Sequence, residues 1–431
     1  MEKPKVCPSK LSPGNGRYSK AALIELFEGK QTDITIDIDF EKDLDSSSLR
    51  DNMNNMSISG AQEKFSAIAT DGKIRLAAKG EQGTHILKPP PYNYSLLTRR
   101  QIPANEHLTM QIAGQVYGIE TAYNGLCFDR RGQEVYITKR FDFNPDGTRC
   151  QIEDFASILG RAEENNGSGF KYDGSYDMIA NAIKNVVPSW QANVEKLFKM
   201  IVFSYMFANE DAHLKNFSLI NRKGEYTMAP AYDLINTLIH IESGSDFGLK
   251  GGLSPNIPKT DVYKRSGHPA RHDFEMFAQH IGLPETRIDI ILDKYMVIGP
   301  KVYELIDNSF LNDKMKRNYI KTIQERNARF VRIDRLEIGN SDTDRLMKEG
   351  VCTLIDYAKD KKGQPWVTNI LNRLYTKFKE IDPYVDKRSI SRHLLNLSMQ
   401  KMNEVEVSKA KSALVLALSK IHTKKDLTIG Y

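Results

Sequence analysis

Cysteine, tryptophan and long apolar runs are scarce in this 431-residue sequence, which contains four cysteines and two tryptophans. The cysteines lie far apart, without a CxxC pair or a histidine cluster beside them, at Cys7, Cys127, Cys150 and Cys352. This spacing argues against a zinc ribbon and a disulfide framework, and it favours a reducing, cytoplasmic location. The first residues, MEKPKVCPSKLSPGNG, also lack the apolar core of a signal peptide. The sequence therefore predicts neither secretion nor a membrane anchor.

A strong charge of one sign is absent from most of the chain. Residues 1–330 contain 42 basic and 42 acidic side chains, whereas residues 331–431 contain 19 and 13. A basic C-terminal segment is compatible with nucleic acid or an acidic partner. Because lysines and carboxylates are interleaved there, a solvated helical surface is the simpler interpretation. The composition, 40% apolar and 27% charged, is typical of a soluble globular chain of two or three domains.

Residues 1–139 have the pattern of a small β-rich domain. The alternation at residues 32–40 predicts a strand, and the segments KFSAIAT, IRLAAK and HILK predict antiparallel strands separated by turn signals. A helix over Asn105–Val116 and a strand in YITKRFDF follow.

Residues 140–335 show helical periodicity, and residues 336–431 continue it as a separate extension. Apolar spacing predicts helices over residues 177–187, 193–208, 271–281, 288–306 and 314–336. In the extension, Trp366, Tyr375, Phe378 and the run from Leu414 to Leu418 are expected to form a small core. The sequence thus predicts an α+β fold with domains at residues 1–139, 140–335 and 336–431.

The densest group of polar side chains follows an apolar helix, in the stretch FSYMFANEDAHLKNFSL at residues 203–219. Asp211 and Asn216 have the Asp-x-x-x-x-Asn spacing with which kinases place a catalytic base and a metal-binding amide. Asp233, in TMAPAYDLINT, lies where a second Mg²⁺ ligand is expected, and its apolar neighbours mean that it needs a partner. For the loop alone, a capped helix end is the alternative explanation.

Three features of the β-rich part supply the other residues that a kinase needs, in the order in which kinases carry them along the chain. The loop SISGAQEK at residues 57–64 precedes a strand and offers backbone amides to a phosphate. Lys88 ends the apolar strand HILK, and Glu106 lies on the helix that follows. A lysine in such a place is more often exposed than catalytic, yet a kinase needs one strand cation for the ATP phosphates and one helical acid to hold it.

Together, SISGAQEK, HILKPP, ANEH, KRFDF, NEDAHLKNFSL and APAYDL resemble the HipA family of bacterial toxin kinases. The resemblance covers roughly residues 1–330 and rests on several ordered motifs. It implies a two-lobed protein-kinase-like fold with a small β-rich N-lobe and a larger helical C-lobe. It also implies a serine/threonine protein kinase that uses ATP and Mg²⁺ and acts as the toxin of a type II toxin–antitoxin system.

The resemblance also assigns roles to residues. Asp211 would be the catalytic base, Asn216 and Asp233 would bind Mg²⁺, and Lys88 would bind the ATP phosphates. His213 and Lys215 would lie near the transferring phosphoryl group. Further ATP contacts would come from the phosphate-binding loop, the helical acid and a hinge around residues 139–141, namely Gly60, Ala61, Gln62, Glu63, Lys64, Glu106, Lys139 and Phe141.

The segment before the phosphate-binding loop resembles the short HipT form of the family. Full-length members have a longer N-terminal subdomain, which in three-gene modules is a separate small protein, HipS, beside the DNA-binding HipB. Ser57 and Ser59 match the Ser-Ile-Ser loop in which relatives autophosphorylate. Because a phosphate adds about 1.5 to 2 negative charges, we expect autophosphorylation there to repel ATP and switch the kinase off.

The resemblance implies partners and leaves alternatives open. The expected substrate is an aminoacyl-tRNA synthetase, whose phosphorylation would halt translation, and the expected partners are a HipB-like antitoxin and a HipS-like protein. DNA would be contacted only through the antitoxin, and no membrane is involved. The alternatives are a catalytically weak subunit of a HipB-type repressor complex and a kinase of a non-protein acceptor. Residues 336–431 would dock on the kinase, recognise the antitoxin or serve as a substrate adaptor.

Overall fold

The structure is a computed structural model of the chain. It describes residues 5–43, 63–93, 96–144, 146–241, 245–331, 341–381, 387–399 and 401–420. They fall into two units, the first comprising Met1–Pro258 and Phe274–Asn327, and the second Lys259–Asp273 and Ala328–Tyr431. The α+β class predicted from the sequence is confirmed, since two antiparallel sheets and most of the helices share the first unit.

A five-stranded antiparallel sheet forms the first part of the first unit. Its strands, in the order β2-β1-β3-β5-β4, are β1 (Phe65–Thr70), β2 (Lys73–Leu76), β3 (His85–Lys88), β4 (Asn124–Phe128) and β5 (Glu134–Lys139). The predicted strands between residues 64 and 88 and at YITKRFDF are confirmed. Strand β4 was not predicted, because its sequence NGLCF is buried on both faces and does not alternate.

Strand β3 points alternate side chains to opposite faces of this sheet. His85 and Leu87 face a core formed with helix α1 (Lys20–Phe27), where the His85 ring bonds the Leu26 carbonyl. Lys88 follows Leu87 and therefore points to the other face. Helix α2 (Ile102–Gln115) packs along β4 and β5, and every residue from Pro103 to Ala113 is buried.

The first unit also contains a three-stranded antiparallel sheet, ordered β6-β7-β8, and further helices. Its strands are β6 (Gln151–Asp154), β7 (Ser218–Arg222) and β8 (Glu225–Met228). The helices before β7 are α3 (Phe155–Ile158), α4 (Glu163–Asn166), α5 (Tyr176–Val186) and α6 (Trp190–Met206). Those after β8 are α7 (Asp261–Ser266), α8 (Arg271–His280), α9 (Glu285–Asp293), α10 (Pro300–Asn308) and α11 (Asp313–Phe330). Of these, α7, the start of α8 and the end of α11 belong to the second unit.

The second unit contains a group of four further helices, as expected for a helical C-terminal extension. They are α12 (Ser341–Ala358), α13 (Gln364–Ile381), α14 (Lys387–Met399) and α15 (Glu404–Lys420). Phe378 and Leu414 lie in their shared core, and Tyr375 packs against it. Trp366 was wrongly expected in this core: it is 61% exposed, because it lies in the first turn of α13.

Two further sequence predictions were wrong. Residues 32–40 form only isolated bridges at Thr35 and Ile36, because the Asp39 carboxylate accepts backbone N–H bonds and turns the chain. The helix predicted at residues 288–306 is two helices, since Gly299 and Pro300 start α10 anew. Within the described residues, none of the helices is long and apolar enough to cross a membrane.

Candidate active site

A buried lysine links the two parts of the site. Lys88 Nζ lies 2.5 Å from Glu106 Oε1 and also pairs with Asp233 Oδ1. The second oxygen of Asp233 lies 3.3 Å from Lys64 Nζ. Lys88 lies on strand β3, Glu106 on helix α2, and Asp233 in the loop after strand β8. The cluster therefore connects the five-stranded sheet, helix α2 and the loop that carries Asp233. Residues far apart in the sequence thus meet at one cation.

The charges in this cluster depend on one another. Burial works against the charged Lys88 ammonium, but Asp233 and Glu106 outweigh it and raise the lysine pKa above its usual value. Burial likewise opposes the charged Asp233, yet Lys64 and Lys88 lower its pKa well below the usual range. For Glu106, burial prevails over the attraction of Lys88, so its pKa is raised. Loss of the lysine would leave the two acids facing each other.

The loop that carries Asp211 begins where helix α6 ends. Ala208 adopts a left-handed conformation with φ of 53°, which turns the chain out of the helix. The Asp211 side chain is 46% exposed, and its Oδ1 accepts a 2.7 Å hydrogen bond from the Tyr172 hydroxyl. Asn216 Nδ2 donates to the Asp211 carbonyl at 2.9 Å, which folds the loop back on itself.

His213 and Lys215 lie beside Asp211 but engage other groups. His213 Nε2 is 3.9 Å from Asp211 Oδ2, too far for a hydrogen bond, and burial lowers the pKa of its imidazole. Lys215 Nζ pairs with Asp154 at 3.2 Å. Burial therefore favours the neutral form of the His213 ring. The ion pair with Asp154 holds Lys215 at the end of strand β6.

Two contacts hold the Asp233 loop against the Asp211 loop. The Tyr232 hydroxyl donates to the Lys215 carbonyl at 2.9 Å. The backbone N–H and hydroxyl of Thr237 both donate to the Ala208 carbonyl, at 2.9 and 3.0 Å. Asp233 itself has a φ of 56°, a left-handed conformation that a non-glycine residue adopts only when its surroundings hold it there.

The donor atoms of these two loops fit Mg²⁺. Because Asn216 uses its side-chain nitrogen on the Asp211 carbonyl, its side-chain oxygen is left for a cation. Asp233 adds a carboxylate that is already held by cations. Among the described residues, no three His, Cys, Asp or Glu side chains gather into a metal site. Two oxygen ligands completed by substrate phosphates are a common Mg²⁺ arrangement, so the residues present fit this ion.

Residues 56–298 match the family model described as HipA-like C-terminal domain. The chain belongs to this family. The match covers more than half of the chain and includes the Lys88 cluster and both loops. The HipA-like resemblance read from the sequence motifs is thereby confirmed at the level of the family.

Similar proteins carry kinase names. "Putative kinase Y4dM" of Sinorhizobium fredii is 35% identical over 211 residues, which are 45% of this chain and 48% of that protein. A "Putative kinase" of Haemophilus influenzae is 26% identical over 286 residues, 63% of this chain and 81% of the other. The match thus spans about half the length of Y4dM and most of the H. influenzae protein.

Part of the chain is similar to solved structures of two bacterial proteins. HipA of the Shewanella oneidensis MR-1 toxin–antitoxin system, in a complex with HipB and its operator DNA, has a TM-score of 0.47 and 20% identity, over 64% of this chain and 65% of that one. The Helicobacter pylori proinflammatory kinase CtkA has a TM-score of 0.41 and 18% identity, over 64% of this chain and 90% of that one.

The remaining sequence-predicted residues lie apart from the cluster or outside the described residues. Lys139 Nζ pairs with Glu28 at 3.2 Å rather than with Asp233 or Glu106. The Phe141 ring packs on Tyr232 at 5.8 Å, and Glu63 accepts a 3.4 Å bond from the Tyr92 N–H. The part of the loop that includes both serines lies outside the described residues: Ser57, Ser59, Gly60, Ala61 and Gln62.

Sequence reasoning missed two residues that touch the Asp211 loop, Tyr172 and Arg326. Tyr172 bonds the Asp211 side chain, and Arg326 of helix α11 pairs with Glu210, the neighbour of Asp211. Neither belongs to a motif around Asp211, because each lies more than 35 positions away in the sequence. An arginine within the strongly charged α11 sequence gave no signal that its side chain is buried.

A glycine also determines the shape of the loop. A Cβ at Gly248 would lie 2.6 Å from the Ala212 backbone, one residue after Asp211. Backbone cannot yield as a flexible side chain can, so we expect Gly248→Ala to destabilise the first unit by about 1–3 kcal/mol. The control is Gly14→Ala in the same unit, where a Cβ meets only ordinary contacts at 3.9 Å. Thermal unfolding of both variants checks this, and equal melting temperatures would contradict it.

Proposed function

We propose that this chain is an ATP- and Mg²⁺-dependent serine/threonine protein kinase. One observation carries the proposal: a buried lysine on a strand pairs with a helical glutamate and with the aspartate of a second loop, beside a loop with a base and an amide at kinase spacing. Family membership and the kinase names of the relatives support it. Lys88 binds ATP phosphates, and Asp211 is the catalytic base.

In the proposed reaction each of these residues has one role. Asp211 accepts the proton of a serine or threonine hydroxyl, and the oxygen of that hydroxyl bonds to the γ-phosphorus of ATP. The bond from the γ-phosphorus to ADP breaks at the same time. Lys88, kept charged by its two acids, attracts the phosphate oxygens. Asn216 and Asp233 would hold Mg²⁺, which would supply positive charge against the phosphates. Lys64, which already pairs with Asp233, adds a second cation at the same place.

The finer biological role is also our proposal, supported by the motifs and by the family. The protein acts in the cytoplasm as the toxin of a type II toxin–antitoxin system of the short HipT form, with a HipB-like antitoxin and a HipS-like protein as partners. Its substrate is an aminoacyl-tRNA synthetase, and phosphorylation of Ser57 or Ser59 switches it off. Residues 1–139 and 140–335 are the two lobes, and residues 336–431 are a helical extension.

Asp211→Asn tests the proposal most directly. We expect the wild type, with Mg²⁺ and labelled ATP, to label itself and one protein of a bacterial lysate, and the variant to transfer phosphate about 10²–10⁴-fold more slowly. Mass spectrometry locates the phosphates. Asp146→Asn, which changes an exposed aspartate, is the matched control and should behave as the wild type.

Other outcomes separate the remaining alternatives. Tight ATP binding without transfer to any acceptor would reject the kinase and favour a subunit of a repressor complex. Label on a small molecule or lipid, with no labelled protein, would reject the protein substrate while retaining the phosphotransfer.

A further inference from the structure

Tyr172 lies in a short helical turn at Phe170–Tyr172, between helices α4 and α5. Its backbone carbonyl accepts a 3.0 Å bond from the Lys250 N–H, which fixes the turn from the other side. Its hydroxyl donates to Asp211 Oδ1 at 2.7 Å, and its ring meets the His213 ring edge-on with centroids 5.3 Å apart. The side chain thus contacts two residues of the Asp211 loop.

The Asp211 carboxylate needs a partner that fixes its orientation. The Asp211 side chain is 46% exposed, and His213 is too far away to bond it. Among the residues that the structure describes, Tyr172 is the side chain that hydrogen-bonds the Asp211 carboxylate. With Oδ1 held there, the rotation of the carboxylate is fixed and Oδ2 remains for the proton of an incoming hydroxyl.

The Tyr172 phenol can donate a hydrogen bond to the Asp211 carboxylate without itself acting as the base. Burial, and then the charge of Asp211, raise the pKa of the Tyr172 phenol above its usual value. The phenol therefore stays protonated at neutral pH and acts as a hydrogen-bond donor. A donor at Oδ1 leaves the base free to accept a proton at its other oxygen.

We propose that Tyr172 is a positioning residue of the kinase reaction, which orients the Asp211 carboxylate so that Oδ2 faces the acceptor hydroxyl. The inference rests on the proposed function, since it presumes that Asp211 is the base. It goes beyond the motifs, because Tyr172 lies outside all of them. A misaligned base slows the chemical step while leaving substrates bound, so the effect should appear in kcat.

Tyr172→Phe, which removes one oxygen and keeps the ring, is the test. We expect kcat to fall about 10–100-fold, as for loss of a hydrogen bond to a charged group, with the KM values for ATP and acceptor and the melting temperature nearly unchanged. Tyr226→Phe is the matched control, because its hydroxyl bonds Gln151 at 3.2 Å, away from Asp211. An unchanged kcat, or equal changes in both variants, would overturn the proposal.

A second readout does not depend on activity. We would place 3-fluorotyrosine at position 172 and compare ¹⁹F spectra of the wild type, Asp211→Asn and Asp146→Asn. The resonance should move in Asp211→Asn and stay in place in Asp146→Asn; an unmoved resonance would reject the contact. If the resonance moves but the wild type transfers no phosphate, the proposed function fails, and the positioning role fails with it although the contact exists.

Discussion

Lys88→Met should lower the rate of phosphotransfer by about 10²–10³-fold, the usual cost of removing one preorganised charged group from a reacting site. The methionine matches the four-atom apolar part of the lysine side chain and lacks the terminal ammonium. It removes the cation that lies between Glu106 and Asp233. The ATP phosphates lose their buried partner, and Asp233 loses one of the two ammonium groups that lower its pKa.

The same change should also favour protonation of the Glu106 carboxyl. Burial already raises the pKa of this carboxyl, and Lys88 is the group that works most strongly against that effect. Without the lysine, protonation is the way for a buried carboxyl to avoid an unpaired charge. A Lys88→Met, Glu106→Gln double variant should therefore be at least as stable as Lys88→Met, although neither regains activity.

Lys73→Met provides the matched control for Lys88→Met. Lys73 begins strand β2 of the same sheet, and its side chain is exposed. Steady-state phosphotransfer and nucleotide binding, measured on both variants, should show a large loss for Lys88→Met and almost none for Lys73→Met. Equal losses would contradict the assignment of the phosphate lysine to β3.

The elements that could be predicted from sequence are those with a local signal. Alternation and turn residues identified β1, β2 and β3, and the spacing of Asp211 and Asn216 needed only six positions of sequence. For the strands and the loop the physical cause, periodicity or a fixed loop spacing, lies within a short segment. The meeting of Lys88 with Glu106 was expected on other grounds, because a kinase needs a strand cation for the ATP phosphates and an acid on the next helix to hold it.

Features that depend on distant contacts escaped prediction. Strand β4 is buried on both faces and has no alternation. The split at Gly299 and Pro300 is a different case, because this pair is a local turn signal that the apolar periodicity of residues 288–306 outweighed in the prediction. Tyr172 reaches Asp211 across 39 positions of sequence, and no local pattern marks a tyrosine that will bond an aspartate.

Arg326→Met should destabilise the first unit by about 3–5 kcal/mol, the range seen when one partner of a buried ion pair is removed. The Arg326 side chain is 2% exposed, and it pairs with Glu210 and Asp246, whose side chains are 5% and 7% exposed. Its guanidinium also lies over the Tyr205 ring, 5.0 Å from the centroid. Methionine fills much of the volume but leaves two buried carboxylates without their shared cation.

Arg287→Met is the matched control, because Arg287 also forms a two-bond pair, with Glu195, but its side chain is 44% exposed. Urea unfolding, followed by Trp190 fluorescence in a Trp366→Phe background, reports on the first unit. The midpoint should fall strongly for Arg326→Met and little for Arg287→Met, because solvent screens an exposed pair.

Arg326→Lys should be intermediate, since an ammonium keeps the charge but lacks the planar fork that bonds two carboxylates at once. Equal midpoints for the two methionine variants would show that the triad contributes no more than a surface pair. The Asp211 loop would then owe its position to its other contacts, among them the hydrogen bonds of Tyr172, Tyr232 and Thr237.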